Sequence, residues 1–121
     1  MNTNEVAEKL VSWCKEGDFE TPYQHLYSPE IVSIENDGTS EGGLVKGFDG
    51  LQKKGEWWKE NFEVHNTTVS EPIVADNWFS VRFEMDTTHK PSGTRSTTSE
   101  IGVYQVKEGK IVKEQFFYDE V

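Results

Sequence analysis

The feature that most constrains this chain is a change of period near residue 63. Before it, apolar residues recur every three or four positions; after it, they recur every second position. The first spacing lines one stripe of a helix and the second lines one face of a strand. The chain therefore reads as helices followed by a long run of strands. Val6, Leu10, Trp13 and Cys14 share a face of a helix over 4–16, stopped by Gly17. Asp18 can cap a second, short helix with Phe19, Tyr23, Leu26 and Tyr27 on its apolar side, ended by Ser28-Pro29. Residues 31–34 form a first strand, and the polar stretch 36–43 a loop. Phe48, Leu51, Gly55, Trp58 and Phe62 mark a third helix after Gly47, and Gly55 on that stripe predicts close packing. Residues 63–75 then read as a strand bent at Glu71-Pro72, where proline gives no ladder bond. Residues 78–88 alternate strictly, with Phe79, Val81, Phe83 and Met85 on one face and Ser80, Arg82, Glu84 and Asp86 on the other. Residues 95–106 and 110–118 are the last two strands, joined through Glu108-Gly109.

This order defines an α+β fold, with helices gathered on one face of a curved, mostly antiparallel sheet. Such an arrangement leaves a cavity between the concave side and the helices, where pockets favour forming. At 121 residues the chain is a single domain spanning 1–121. Acidic residues outnumber basic ones 22 to 12, a net charge of −10. Such a surface repels phosphate backbones and anionic bilayers, so neither nucleic acid nor membrane is expected as a partner. No apolar run approaches a membrane span, and the N-terminal residues show no signal peptide. With one cysteine, Cys14, no intrachain disulfide can form, which fits a cytoplasmic location. His25, His65, His89 and Cys14 are scattered without ligand spacing, so no metal site is expected. Cys14 itself reads as a buried structural thiol.

The last hairpin carries the candidate chemistry. A type I turn with a bulge at Gly109 confines positive φ to glycine and pairs Val106 with Lys110. Tyr104 then faces Val112, Gly102 faces Glu114, Glu100 faces Phe116 and Thr98 faces Tyr118. One face holds Glu100, Gly102, Tyr104, Val112, Glu114, Phe116 and Tyr118; the other holds Ile101, Val103, Gln105, Ile111, Lys113, Gln115 and Phe117. The first face, with two carboxylates and two tyrosines around a glycine, reads as the pocket wall. Neighbouring buried carboxylates raise one another's proton affinity, which suits acid–base work near neutrality. The alternative is that Glu100 and Glu114 are solvated or paired with Arg82, Lys113 or Arg95. Trp58 and Phe62 read as core first and pocket wall second.

Several stretches resemble SnoaL-like domains: Gly17-Asp18-Phe19-Glu20, Leu26-Tyr27, Val32-Ser33-Ile34-Glu35, Val64-His65, Val69-Ser70-Glu71-Pro72 and Met85-Asp86-Thr87-Thr88. The strongest match is residues 100–106 followed by 109–118. The resemblance implies the cone-shaped nuclear-transport-factor-2-like (cystatin-like) fold, three helices on a strongly curved sheet, usually as a homodimer. Relatives include polyketide cyclases, ketosteroid isomerases, an epoxide hydrolase, dehydratases and pure binding modules. In some of them a middle-strand carboxylate is an acid or base, which makes Asp86 a third catalytic candidate beside Glu114 and Glu100. The epoxide hydrolase's inward last-strand Asp is matched here by Phe116.

Three functions follow. The first is cofactor-independent proton transfer on a small, largely apolar carbonyl compound, with Glu114 as base and Tyr104, Tyr118 or protonated Glu100 as donor. The expected ligand-lining residues are Tyr23, Tyr27, Trp58, Phe62, Tyr104, Phe116 and Tyr118. The second is a binding module without chemistry, and the third a structural dimer whose aromatics fill the cone. Dimerisation is expected through the apolar face of Ile101, Val103 and Phe117.

Overall fold

The computed structural model describes residues 1–36, 38 and 43–119. Most of the loop expected over 36–43 lies outside the described residues. In chain order the elements are α1 (Thr3–Lys15), α2 (Thr21–His25), β1 (Tyr27–Glu35), β2 (Leu44–Lys46), α3 (Gly47–Asn61), β3 (Phe62–Val69), β4 (Ile73–Ala75), β5 (Trp78–His89), β6 (Thr94–Lys107) and β7 (Lys110–Phe117).

The helix α1 is closed at both ends by local chemistry. Asn2 Oδ1 accepts the Glu5 N–H at 2.9 Å, and the Glu5 carboxylate accepts the Asn2 N–H at 3.2 Å. This reciprocal pair satisfies two amides that the first turn leaves free. Gly17, at φ +79°, takes the chain out of the helix in a conformation other residues resist. Asp18 Oδ1 then accepts the N–H groups of Glu20 and Thr21, at 3.1 and 2.9 Å, and so starts α2 as expected.

That second helix is shorter than expected. It stops at His25, and Tyr27 already pairs with Ile111 as the first residue of β1. Ser28-Pro29 therefore lies inside a strand. The β1–β7 ladder is irregular between Tyr27 and Val32, where a residue without an N–H does least harm. The three-residue β2, which no alternation signalled, pairs with Val32, Ser33 and Ile34 as an edge strand.

The strands form one open mixed sheet in the order β2-β1-β7-β6-β5-β3, with β4 added against β5. Only β1 and β7 run parallel. The bend expected at Glu71-Pro72 is the break between β3 and β4. Along β5 the alternation holds: Phe79, Val81 and Phe83 are buried while Arg82 is exposed. These residues join Tyr104, Val106, Ile111 and Ile31 in a core covered by Val6, Ala7, Leu10, Val11 and Cys14 of α1. The helix α3 packs on β1, β2 and β3 instead. Because it covers this edge region only in part, Leu51 alone of its residues is buried, and Phe48 is exposed. Phe62 leaves the helix to open β3. The expected tight packing at Gly55 does not occur, since a methyl group there would meet nothing within 4 Å.

The β6–β7 turn also differs from expectation. Glu108 and Gly109 both have positive φ, +51° and +77°, so the loop is a two-residue left-handed turn. Its twist matches that of the flanking strands, and this outweighs the cost of positive φ on Glu108. Lys107 therefore pairs with Lys110 and Val106 with Ile111. Val112 is the extra residue of a bulge, after which Tyr104 pairs with Glu114, Gly102 with Phe116 and Ile101 with Phe117. Every partner beyond the bulge is displaced by two from the expected ladder. A displacement of two leaves each side chain on its expected face. Ile111, before the bulge, is the exception: it is fully buried in the core and not on the outer face.

Candidate functional site

The inward face of β1, β7 and β6 carries a polar group set into this apolar core. The parallel pairing sets Ser33 beside Glu114, and the antiparallel pairing sets Tyr104 on the other side of Glu114. Glu114 is 1% exposed. Its Oε1 accepts the Tyr27 hydroxyl, and its Oε2 accepts the Ser33 hydroxyl at 2.7 Å. Lys54 reaches down from α3, donating to Ser33 Oγ at 2.9 Å and pairing with Glu35 at 2.5 Å. Its ammonium also lies 5.2 Å from the centre of the Phe116 ring. Burial raises the proton affinity of Glu114, while Lys54, Tyr27 and Ser33 act in the opposite direction.

Glu100 stands on the same face, paired across the ladder with Phe83. It is half-buried and makes no hydrogen bond or ion pair with any described residue. The partners proposed for it from sequence are used elsewhere or unbonded to it: Arg82 binds Glu84, and Arg95 binds Asp86. Burial, with the charge of Glu35 next and that of Glu114 adding to it, pushes its carboxyl up to about 7, and Lys54 opposes them.

Tyr104 is 2% exposed and stacked on Phe79 at 4.7 Å between ring centres. Its side chain leans back over Gly102: a methyl group on Gly102 would stand 2.9 Å from the tyrosine hydroxyl oxygen and 3.1 Å from the Phe116 ring. Glycine is what permits this close approach. The hydroxyl has no hydrogen-bond partner among the described residues. Every fully enclosed side-chain polar atom among those residues does have a partner. The Tyr104 hydroxyl and the Glu100 carboxylate are therefore not completely enclosed.

The remaining sequence candidates divide. Tyr23 meets Tyr27 edge-on at 4.8 Å and belongs to this cluster. Burial raises the hydroxyl proton affinity of Tyr23, Tyr27 and Tyr104, with the Glu114 charge next, so all three stay protonated. Tyr118 lies just past β7, with its N–H donating to Asn36 Oδ1 at 3.0 Å. Trp58 and Phe62 stack on each other at 4.2 Å, but Phe62 opens β3, which is three strands from β7. Asp86 pairs with Thr97 and so projects from the opposite face to Glu100. Arg95 grips both of its oxygens, at 3.0 and 2.8 Å, and holds its carboxyl below the usual range. The expected grouping of Asp86 with the two glutamates is not what the register produces. Cys14 is buried, and desolvation pushes its thiol up to about 12. Among the described residues no cluster of His, Cys, Asp and Glu could hold a metal.

Sequence reasoning missed Ser33, Glu35 and Lys54. Two weak signals point to them: Ser33 and Glu35 follow apolar Ile31 at steps of two and so share its face, and Lys54 follows apolar Leu51 by three.

With an open mixed sheet and helices on one side, the chain has a fold of the nuclear-transport-factor-2-like class. Within that class it belongs to the SnoaL-like domain family, whose pattern matches residues 1–118. It is similar to a candidate SnoaL-like polyketide cyclase from Mesorhizobium loti at 36% identity, over 98% of this chain and 100% of that one, with a TM-score of 0.91. A second candidate cyclase, from Jannaschia sp. CCS1, is 15% identical over 98% of this chain and 87% of that one, TM-score 0.79. A nuclear-transport-factor-2-like protein from Burkholderia thailandensis E264 is 16% identical over 98% and 92%, TM-score 0.83. The two more distant likenesses speak to the fold alone. No curated protein matches the chain. No helix among the described residues is long and apolar enough to cross a membrane.

Proposed function

We propose that the inward face beside Glu100 and the Tyr104 hydroxyl receives a small, largely apolar carbonyl compound and moves a proton on it, without a cofactor. The observation that carries this reading is the pair of unspent polar groups there: a half-buried carboxylate, Glu100, and the hydroxyl of buried Tyr104. The roles of the two glutamates are then exchanged relative to the sequence reading. Glu114 has both oxygens engaged and anchors the wall. Glu100, free and titrating near neutrality, is the base. Tyr104 donates to the oxygen on which charge develops as the C–H proton leaves. Phe83 and Phe116 supply apolar wall.

The test is exchange of α-protons of cyclic ketones in deuterium oxide, followed by NMR. Glu100→Gln is expected to lower the rate by about 100-fold or more, and Tyr104→Phe by less. Exchange that survives Glu100→Gln and is lost in Glu114→Gln would return the base to Glu114. Binding of the same ketones with no exchange in any variant would favour a binding module.

We also infer a homodimer formed through the outer face of β6 and β7, where paired Ile101 and Phe117 are 49% and 46% exposed. Sedimentation of Ile101→Lys as a monomer, against a dimeric parent, would support it.

A further inference from the structure

Proton counting in the buried group shows a dependence that the ladder alone does not. Lysine has donors and no acceptor, so Ser33 Oγ must accept from Lys54. The single Ser33 hydroxyl proton is then directed at Glu114 Oε2. The Tyr27 hydroxyl, 4% exposed and with no other acceptor among the described residues, donates to Oε1. Both Glu114 oxygens thus receive a proton from elsewhere. A proton on Glu114 itself would displace one of these donors and strand a hydroxyl proton in the core. The chain of donors runs one way, from α3 through β1 into β7.

We propose that Lys54 is the positioning residue for Glu114: acting through Ser33, it favours the charged form of that buried side chain against the burial that opposes it. The proposal concerns Glu114 and stands apart from any reaction at Glu100. The charged and titratable groups around Glu114 are Lys54 from α3, Tyr27 and Glu35 from β1, Tyr23 from α2, Glu100 and Tyr104 from β6, and Cys14 from α1. Lys54 is the one cation in this set; the tyrosines and the thiol are neutral and the other two groups are carboxylates. Removing it leaves no cation in this set to offset the negative charge. An opposite charge within a few ångströms holds a carboxylate ionised by one to three pH units. The Lys54–Ser33 bond also orients the donor that reaches the acid directly.

The experiment is carboxyl-carbon NMR titration of selectively labelled Glu114 in the full chain and in Lys54→Met, Lys54→Arg and Ser33→Ala. Lys54→Met is expected to raise the Glu114 midpoint by about one pH unit or more, a roughly tenfold gain in proton affinity. Lys54→Arg is expected to recover most of that shift. Ser33→Ala is expected to reproduce the rise although Lys54 is intact, which a screening effect of the ammonium alone would not do. A Glu114 midpoint that stays within a few tenths of a unit in a folded Lys54→Met protein overturns the proposal. Should Lys54→Met fail to fold, an unchanged midpoint in Ser33→Ala overturns it equally. Failure of ketone exchange would leave this result untouched, so the two readings fall separately.

Discussion

The two ends of the inward face are built from the same strands and do opposite work. At the α1 end, Phe79, Val106 and Ile111 are sealed under Val6, Leu10 and Val11, with Tyr104 and Glu114 buried at the boundary. At the α3 end, Glu35, Glu100, Lys54 and Phe116 are half-buried, and the Glu100 carboxylate is not completely enclosed. The difference follows from what lies on top. The buried stripe of α1 spans five residues, whereas α3 buries Leu51 and otherwise contributes a lysine. Apolar burial is concentrated under the first helix and the half-buried polar groups under the third, and Glu114 joins them.

That division can be broken by measurement. The largest effect is expected at the sealed end. Phe79→Ala removes a stacked ring from a full core and should cost about 3–5 kcal/mol in urea unfolding. An equal loss from Glu100→Gln would erase the distinction between the ends. Next comes the boundary. Glu114→Gln presents an N–H to one of two hydroxyl donors, and should cost about 2 kcal/mol at neutral pH. The open end should then appear as a pH dependence. The Glu100 carboxyl holds its proton more tightly folded than unfolded, so its contribution is complete below about pH 4.5 and is lost as pH rises to about 7. The loss should be at most about 3 kcal/mol, and Glu100→Gln should flatten the profile over that interval. The smallest effect is expected from Asp86→Asn on the opposite face. It should leave both ketone exchange and the Glu100 titration unchanged. A shift of either would sharpen the comparison by showing that the two faces communicate.

The sealed end was the more legible part of the sequence. Val6, Leu10 and Cys14 mark their helix, and Phe79, Val81 and Phe83 mark their strand, because burial imposes a period. The shared face of Glu100, Tyr104 and Glu114 was legible too, although the turn was read in the wrong conformation. The left-handed turn and the bulge at Val112 each shift the ladder by one, and together they restore the alternation. The open end was less legible because its order depends on contacts between distant segments. Nothing local in Lys54 says that Ser33 lies beneath it, and nothing in Tyr27 says that it leaves a helix to meet Glu114. A half-buried helix such as α3 imposes little period, so Gly55 and Phe48 were read as covered when they are not.

The parallel pairing of the first and last strands has a consequence in time. Tyr27 and Ser33 precede the glutamate they bond by 87 and 81 residues. Contacts between segments so far apart form late, because a long chain must close before they yield any gain. During synthesis on the ribosome, β1 waits for nearly the whole chain before its neighbour β7 emerges. The two hydrogen bonds to Glu114 can form only when the final strand takes its place between β1 and β6, and a chain cut short before that strand would keep Lys54, Ser33 and Tyr27 but lose the acceptor they are arranged around.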